Sequence, residues 1–212
     1  MSNPSHTFRW SAAAGLLAAM LVVVMFAIGL SVGPDLAVLE QSATPTQFGT
    51  VADRHAGAIQ TMMVVDNLFV VAYVTAFVGL AALVRPRAPL AATVGLGFAL
   101  LTALLDFTEN SLTLHLVQGH LRGLKVEPGR LAILSVVDQV KFLSVYLAIA
   151  LFASGLWEPK PLNRVMVVLS LIFPLIGGLA PISAVAATLR VLWMIPLLVC
   201  GALLLWRRAV DF

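Results

Sequence analysis

Six stretches of this chain are nearly free of charge and are each about long enough, coiled into a helix, to cross a lipid bilayer. A hydrocarbon core about 30 Å thick needs about 20 apolar residues per helix. Such stretches run approximately over residues 11–32, 59–84, 91–117, 131–156, 164–181 and 184–206. Lipid offers no partner to a backbone N–H or C=O, so these segments must cross as helices that satisfy their own hydrogen bonds. The pattern predicts an all-α integral membrane protein, a bundle of about six transmembrane helices forming one domain over residues 1–212. Composition agrees: 60% of residues are hydrophobic and 11% charged, against about 25% charged in soluble domains.

Turn-forming residues separate the stretches, at Gly33-Pro34, Arg85-Pro86-Arg87, Gly119 to Gly129 and Glu158-Pro159-Lys160-Pro161. The first stretch is longer than the apolar part of a secretory signal, about 7 to 15 residues, and reads as a retained helix. The fifth is short, and Pro174, Gly177 and Gly178 are expected to kink or thin it. Residues 46–58, TQFGTVADRHAGA, are too polar to span. They are expected to lie at the interface, with Thr50 and Asp53 spaced as a helix capping box.

The net charge of +3 does not mark a nucleic-acid binder, because the basic residues form no Arg/Lys-rich face. They report topology instead. With the N-terminus inside, Arg9, Arg85, Arg87, Lys160, Arg164, Arg207 and Arg208 fall on the cytoplasmic side, and Arg54, Arg122, Lys125 and Arg130 on the other. Seven against four favours an N-in/C-in arrangement in a bacterial inner membrane. Trp10, Trp157 and Trp206 then fall at cytoplasmic helix ends, as an aromatic belt would place them. Cys200 is the single cysteine, so no disulfide framework exists.

Against this apolar background, six ionisable residues stand inside the spans: Asp66, Asp106, Glu109, Asp138, Lys141 and Arg190. Counted inward from the outer helix ends at 1.5 Å per residue, all lie about 9 to 16 Å deep. They are expected to share one layer in the outer half of the membrane. On the third helix Thr102, Asp106, Glu109, Asn110 and Thr113 occupy an arc of about 100°. Ser135, Asp138 and Lys141 share one face of the fourth helix, and Asp66 and Tyr73 one face of the second. Lipid does not accept such stripes, so they should face one another.

A charged side chain at a helix centre costs about 2.5 to 3.5 kcal/mol, so six unpaired ones would cost on the order of 15 kcal/mol. They must be paired, protonated or hydrated. Asp138 is placed to pair with Lys141 at i, i+3, and Arg190 to reach a further carboxylate such as Glu109. Two acids would then lack a base and would hold a proton, bind a cationic group or face water.

The resulting expectation is an outward-facing site that binds or moves a small polar or cationic ligand, with coupling to protons as one mode. Asp66, Asp106 and Glu109 are expected as cation or proton acceptors, Asn110 as a hydrogen-bonding orienter, and Lys141 and Arg190 as counter-charges, with Tyr73 and Asp138 also placed in the ligand- or proton-binding site. Two other classes fit the same residues. One is a structural or assembly subunit with a closed charge network. The other is an intramembrane enzyme using two carboxylates on lipid headgroups. Inverted repeats and paired broken helices, which mark many secondary transporters, are absent.

His55, His115 and His120 lie near the outer helix ends without HExxH or Cys-rich spacing, so neither metal nor haem nor any other cofactor is expected. No GxSxG motif marks a serine nucleophile. Gly29 and Gly33 form a GxxxG that would permit close helix packing, including self-association or contact with a membrane partner.

The segments VDNLFVVAY, LLDFTEN and VKFLSVYLA resemble a pattern in small bacterial multi-pass membrane proteins, D-x-x-F-x-x-x-Y followed by L-D-x-x-E-N. The resemblance covers residues 47–156 and rests on Asp66, Phe69, Tyr73, Asp106, Glu109, Asn110 and Lys141. It implies the same bundle and the same polar residues, and brings no activity with it.

Overall fold

The computed structural model describes residues 4–33, 35 and 44–211. They form α1 (Pro4–Val32), α2 (Pro45–Val84), α3 (Pro89–Leu121), α4 (Pro128–Gly155), α5 (Pro161–Leu179) and α6 (Ala184–Val210), with a 3-10 turn, Ala180–Ile182, between the last two. All six helices are long and apolar enough to cross a membrane, and no strand occurs among the described residues. Large apolar side chains such as Leu68, Leu104, Leu143 and Leu175 stand more than half exposed on the outer faces. An aqueous surface would not tolerate so much exposed apolar area, whereas lipid does.

Helix starts follow local chemistry. Five helices open on a proline, whose fixed φ suits the first turn and whose missing N–H would have had no partner there. At α6 the Ser183 hydroxyl instead accepts from Ala186 N at 3.3 Å. The α2 cap is Thr44 with Gln47: Thr44 Oγ1 accepts from Gln47 N, and Gln47 Oε1 accepts from Thr44 N at 2.9 Å. This corrects the expected Thr50/Asp53 box. Thr50 lies inside the helix and its hydroxyl donates to Thr46 O. Pro45 already supplies the start one turn earlier.

Most helices overrun the spans read from hydropathy, because helix geometry continues into polar turns that hydropathy alone excludes. The extreme case is α2. Its polar first part, kinked at His55 (φ −127°, ψ 16°), buries Phe48, Val51 and Ala52 against Leu116, Val117, Leu131 and Leu134 of α3 and α4. Gly33 ends α1 with φ 67°, a conformation glycine adopts freely. Pro34 lies outside the described residues. In α5 the helix continues past Pro174 to Leu179.

The middle of the bundle is α2, which touches α1, α3, α4 and α6. α1 pairs with α6, α3 with α4, and α5 with α6, while α4 meets α5 and α2 meets α6 only sparsely. Glycines set the closest approaches. A Cβ on Gly79 would stand 2.6 Å from Ser11 Oγ of α1, and one on Gly95 2.9 Å from the Phe152 ring. Gly79→Val is therefore expected to force α1 and α2 apart and destabilise the protein by about 1 to 3 kcal/mol. Unfolding in detergent, followed by tryptophan fluorescence, measures this; an unchanged melting temperature would contradict the packing.

Candidate functional site

The polar stripe on α3 faces inward. Thr102, Asp106, Asn110 and Thr113 are buried, and Glu109 is half-buried. Lys141 of α4 sits in the middle of the acids. Its Nζ lies 3.3 Å from Asp106, 3.3 Å from Asp138, and in contact with Glu109. Asp106 also accepts the Tyr73 hydroxyl at 2.5 Å, which ties α2 to α3. Asn110, 2% exposed, donates Nδ2 to Asp66 at 2.7 Å and to Asn67 at 3.0 Å. Below the lysine, Thr102 and Ser144 hydroxyls share a 2.8 Å hydrogen bond.

Of the eight residues expected at the site, five meet around the lysine, Tyr73, Asp106, Glu109, Asp138 and Lys141 itself, and two more, Asp66 and Asn110, form a hydrogen-bonded pair on the same cavity wall. The eighth, Arg190, does not pair with Glu109. Its guanidinium lies 3.5 Å from the centroid of the Phe142 ring, and it forms no ion pair among the described residues. Glu109 is already taken by Lys141, and the aromatic face offers the arginine a cation–π seat instead. Asn67 and Ser144 join the site without having been among the expected polar residues. Asn67 follows Asp66 in an apolar run, and Ser144 lies three residues past Lys141 on the same face, so both signals were present.

Asp106, Glu109 and Asp138 surround a single base and Asp66 lies beyond them against Asn110, so the formal sum of these four acids and Lys141 is −3 when all are ionised. Charge this unbalanced in a low-dielectric interior demands protons, water or a cation.

Space for a partner adjoins the cluster. A cavity of about 460 Å³ lies where α2 and α4 stand off from α5 and α6, and all six helices contribute to its walls. Asp66, Asp106, Glu109, Asn110 and Lys141 form its polar wall. The rest is largely apolar, extending along α6 from Ala184 to Leu205 and along α2 to Leu80. Gly29 and Gly33 line this cavity.

The histidines stand apart from it. His120 pairs with Asp53 at 3.0 Å, His55 with Asp35 at 3.2 Å, and His115 meets Arg130 at 3.0 Å. Among the described residues no three His, Cys, Asp or Glu side chains are grouped so as to hold a metal ion.

Fold and site together define a polytopic membrane protein with a carboxylate-rich network on the wall of an intramembrane cavity. No protein-family model, curated protein or solved structure matches the chain.

Proposed function

We propose that the cavity binds, and in one mode moves, a ligand bearing a cationic group, which Asp66, Asp106 and Glu109 accept while Lys141 holds the acids in place. The observation carrying this reading is the surplus of carboxylates beside one base: Asp66, Asp106 and Glu109 line the cavity, and the single lysine there also pairs with Asp138. Protons are the competing neutraliser, so entry of a cation and loss of protons would be coupled. With N-in/C-in topology in a bacterial inner membrane, the polar wall lies nearer the outer face. Kinship with the small bacterial multi-pass proteins belongs to the same proposal.

Titration calorimetry of dodecylammonium chloride into the purified protein in neutral detergent tests this. Saturable binding is expected, weakened about 30-fold or more in Glu109→Gln, since removing one member of a buried charge pair costs about 2 to 5 kcal/mol. Glu109 is chosen because it is half-buried and lines the cavity. Binding that is non-saturable, or equal in the two proteins, would refute the proposal. It would favour a structural network, a reading supported by the lysine's engagement with three acids at once.

A further inference from the structure

The carboxylates occupy one stretch of the cavity wall and leave most of its length without a role. Beyond Asp106 and Lys141 the lining continues through Phe77 and Leu80 of α2, Ile149 and Phe152 of α4, and Leu198 and Leu205 of α6. From Lys141 to Phe152, and from Asp66 to Leu80, the wall advances about 16 to 21 Å at 1.5 Å per residue. One leaflet of a hydrocarbon core about 30 Å thick is about 15 Å deep. The arm beyond the carboxylates is therefore as long as one membrane lipid chain.

Walls of this kind select their contents. An apolar cavity of about 150 Å³ stays dry and takes up a hydrocarbon, and this cavity holds about 460 Å³. Water in the arm would meet hydrocarbon on most sides, and an empty arm forfeits the contacts its lining would otherwise make. A small hydrated cation would satisfy the carboxylates and leave the arm unfilled. A hydrocarbon chain attached to the cation fills it.

The cavity also opens toward lipid. α1 and α6, the first and last of six spans, run antiparallel and touch where a Cβ on Gly15 would stand 3.2 Å from Ala202 Cβ. Counted from that contact toward the end where α1 finishes and α6 begins, fourteen residues along each helix reach Gly29 and Thr188, and four more reach Gly33 and Ala184. All four line the cavity instead of closing on each other, and a Cβ on Gly33 would meet nothing within 4 Å. At this rim Leu30 is 69% exposed, and Ala184 and Thr188 are exposed as well. The Thr188 hydroxyl already donates to Ala184 O at 3.0 Å, so the rim is in effect apolar. Met62 and Met63, one turn before Asp66, line the cavity between this gap and the carboxylates.

We infer that the ligand is a single-chain amphiphilic amine from the surrounding membrane, its ammonium held by Asp66, Asp106 and Glu109 and its chain lying in the arm toward Leu80 and Leu205. Head toward the gap and chain toward the bilayer centre is also the posture of an amphiphile in the leaflet beside α1 and α6. The inference rests on the cation-binding reading of the carboxylates and adds the chain. The head is cationic without a phosphate, because the wall already holds more acid than base.

Butyl-, octyl- and dodecylammonium, titrated by calorimetry into wild type, Glu109→Gln and Gly201→Leu, separate head from chain, with affinities referred to the free aqueous monomer. Gly201 lines the arm, and a Cβ there would meet its nearest neighbours, Leu80 and Met166, at 3.8 Å, so leucine fills the arm without forcing helices apart. Wild-type affinity is expected to rise about fourfold per methylene between the butyl and octyl amines. The ratio of wild-type to Gly201→Leu affinity should grow with chain length, to about tenfold or more for dodecylammonium, the loss of about two buried methylenes. Leu198→Phe, on the same stretch of wall, serves if Gly201→Leu does not fold. Binding that depends on Glu109 and gains nothing with chain length overturns the amphiphile, assigns the site to a soluble amine and leaves the cation site standing. A chain-length gain that the filled arm leaves intact places the chain elsewhere and overturns the inference in the same way. Binding indifferent to Glu109 at every chain length overturns the cation site and the inference with it.

Discussion

Replacing Lys141 with methionine is expected to destabilise the protein by about 3 to 5 kcal/mol, the usual consequence of removing one partner from a buried charge pair. Methionine keeps the length of the side chain and suits an apolar interior, so the loss would report charge and not packing. Lys141 is the cation that holds Asp106, Glu109 and Asp138 together across α3 and α4, with its side chain 12% exposed. Without it three carboxylates face one another at short range. Adding Asp106→Asn and Glu109→Gln to the methionine variant should recover much of the loss, a non-additivity that neighbours in one network show and distant sites do not. Thermal unfolding of the purified variants in detergent measures both effects. A loss below about 1 kcal/mol for Lys141→Met would mean that the acids do not depend on the lysine.

The second large effect is expected from a nearly isosteric change. Asn110→Asp replaces the amide that donates to Asp66 and Asn67 with a carboxylate, at a residue 2% exposed. Two donated hydrogen bonds disappear, and a negative charge is placed where the amide nitrogen stood, 2.7 Å from an Asp66 oxygen. Like charges about 4 Å apart repel by about 4 kcal/mol at an effective dielectric near 20. Destabilisation of about 3 kcal/mol or more is expected by the same unfolding measurement. Asp66→Asn, also isosteric, removes one of the surplus acids and should stay within about 1 kcal/mol of wild type. Equal losses in the two variants would show that the amide serves packing alone.

Much of this arrangement was legible before any coordinates. Helices in lipid are dictated by apolar length, so six runs of about 20 residues announced six helices. The α3 stripe was equally plain, because one helix's angular period is fixed locally and lipid forces polar faces together. The pairing of Asp138 with Lys141 needed only their i, i+3 spacing. What escaped depends on the rotation and separation of different helices, which no local pattern encodes. Arg190 was expected to reach Glu109, yet its guanidinium sits on the ring of Phe142. Gly29 and Gly33 looked like a packing motif and turned out to line a cavity, while Gly79, with no glycine four residues away, packs tightly against Ser11 of α1. The cap at Thr44 was displaced from Thr50 because Gln47 returns the hydrogen bond that a capping box requires.

Native mass spectrometry of gently purified wild type and Glu109→Gln addresses most directly whether the carboxylate wall is a binding site. The wild type is expected to carry an adduct of defined mass whose fragmentation shows an amine-bearing molecule, and the glutamine variant to lack it. Ligand-free spectra from both proteins, with the variant less thermally stable than wild type, would contradict this and leave the carboxylates as a network that only holds the helices in register.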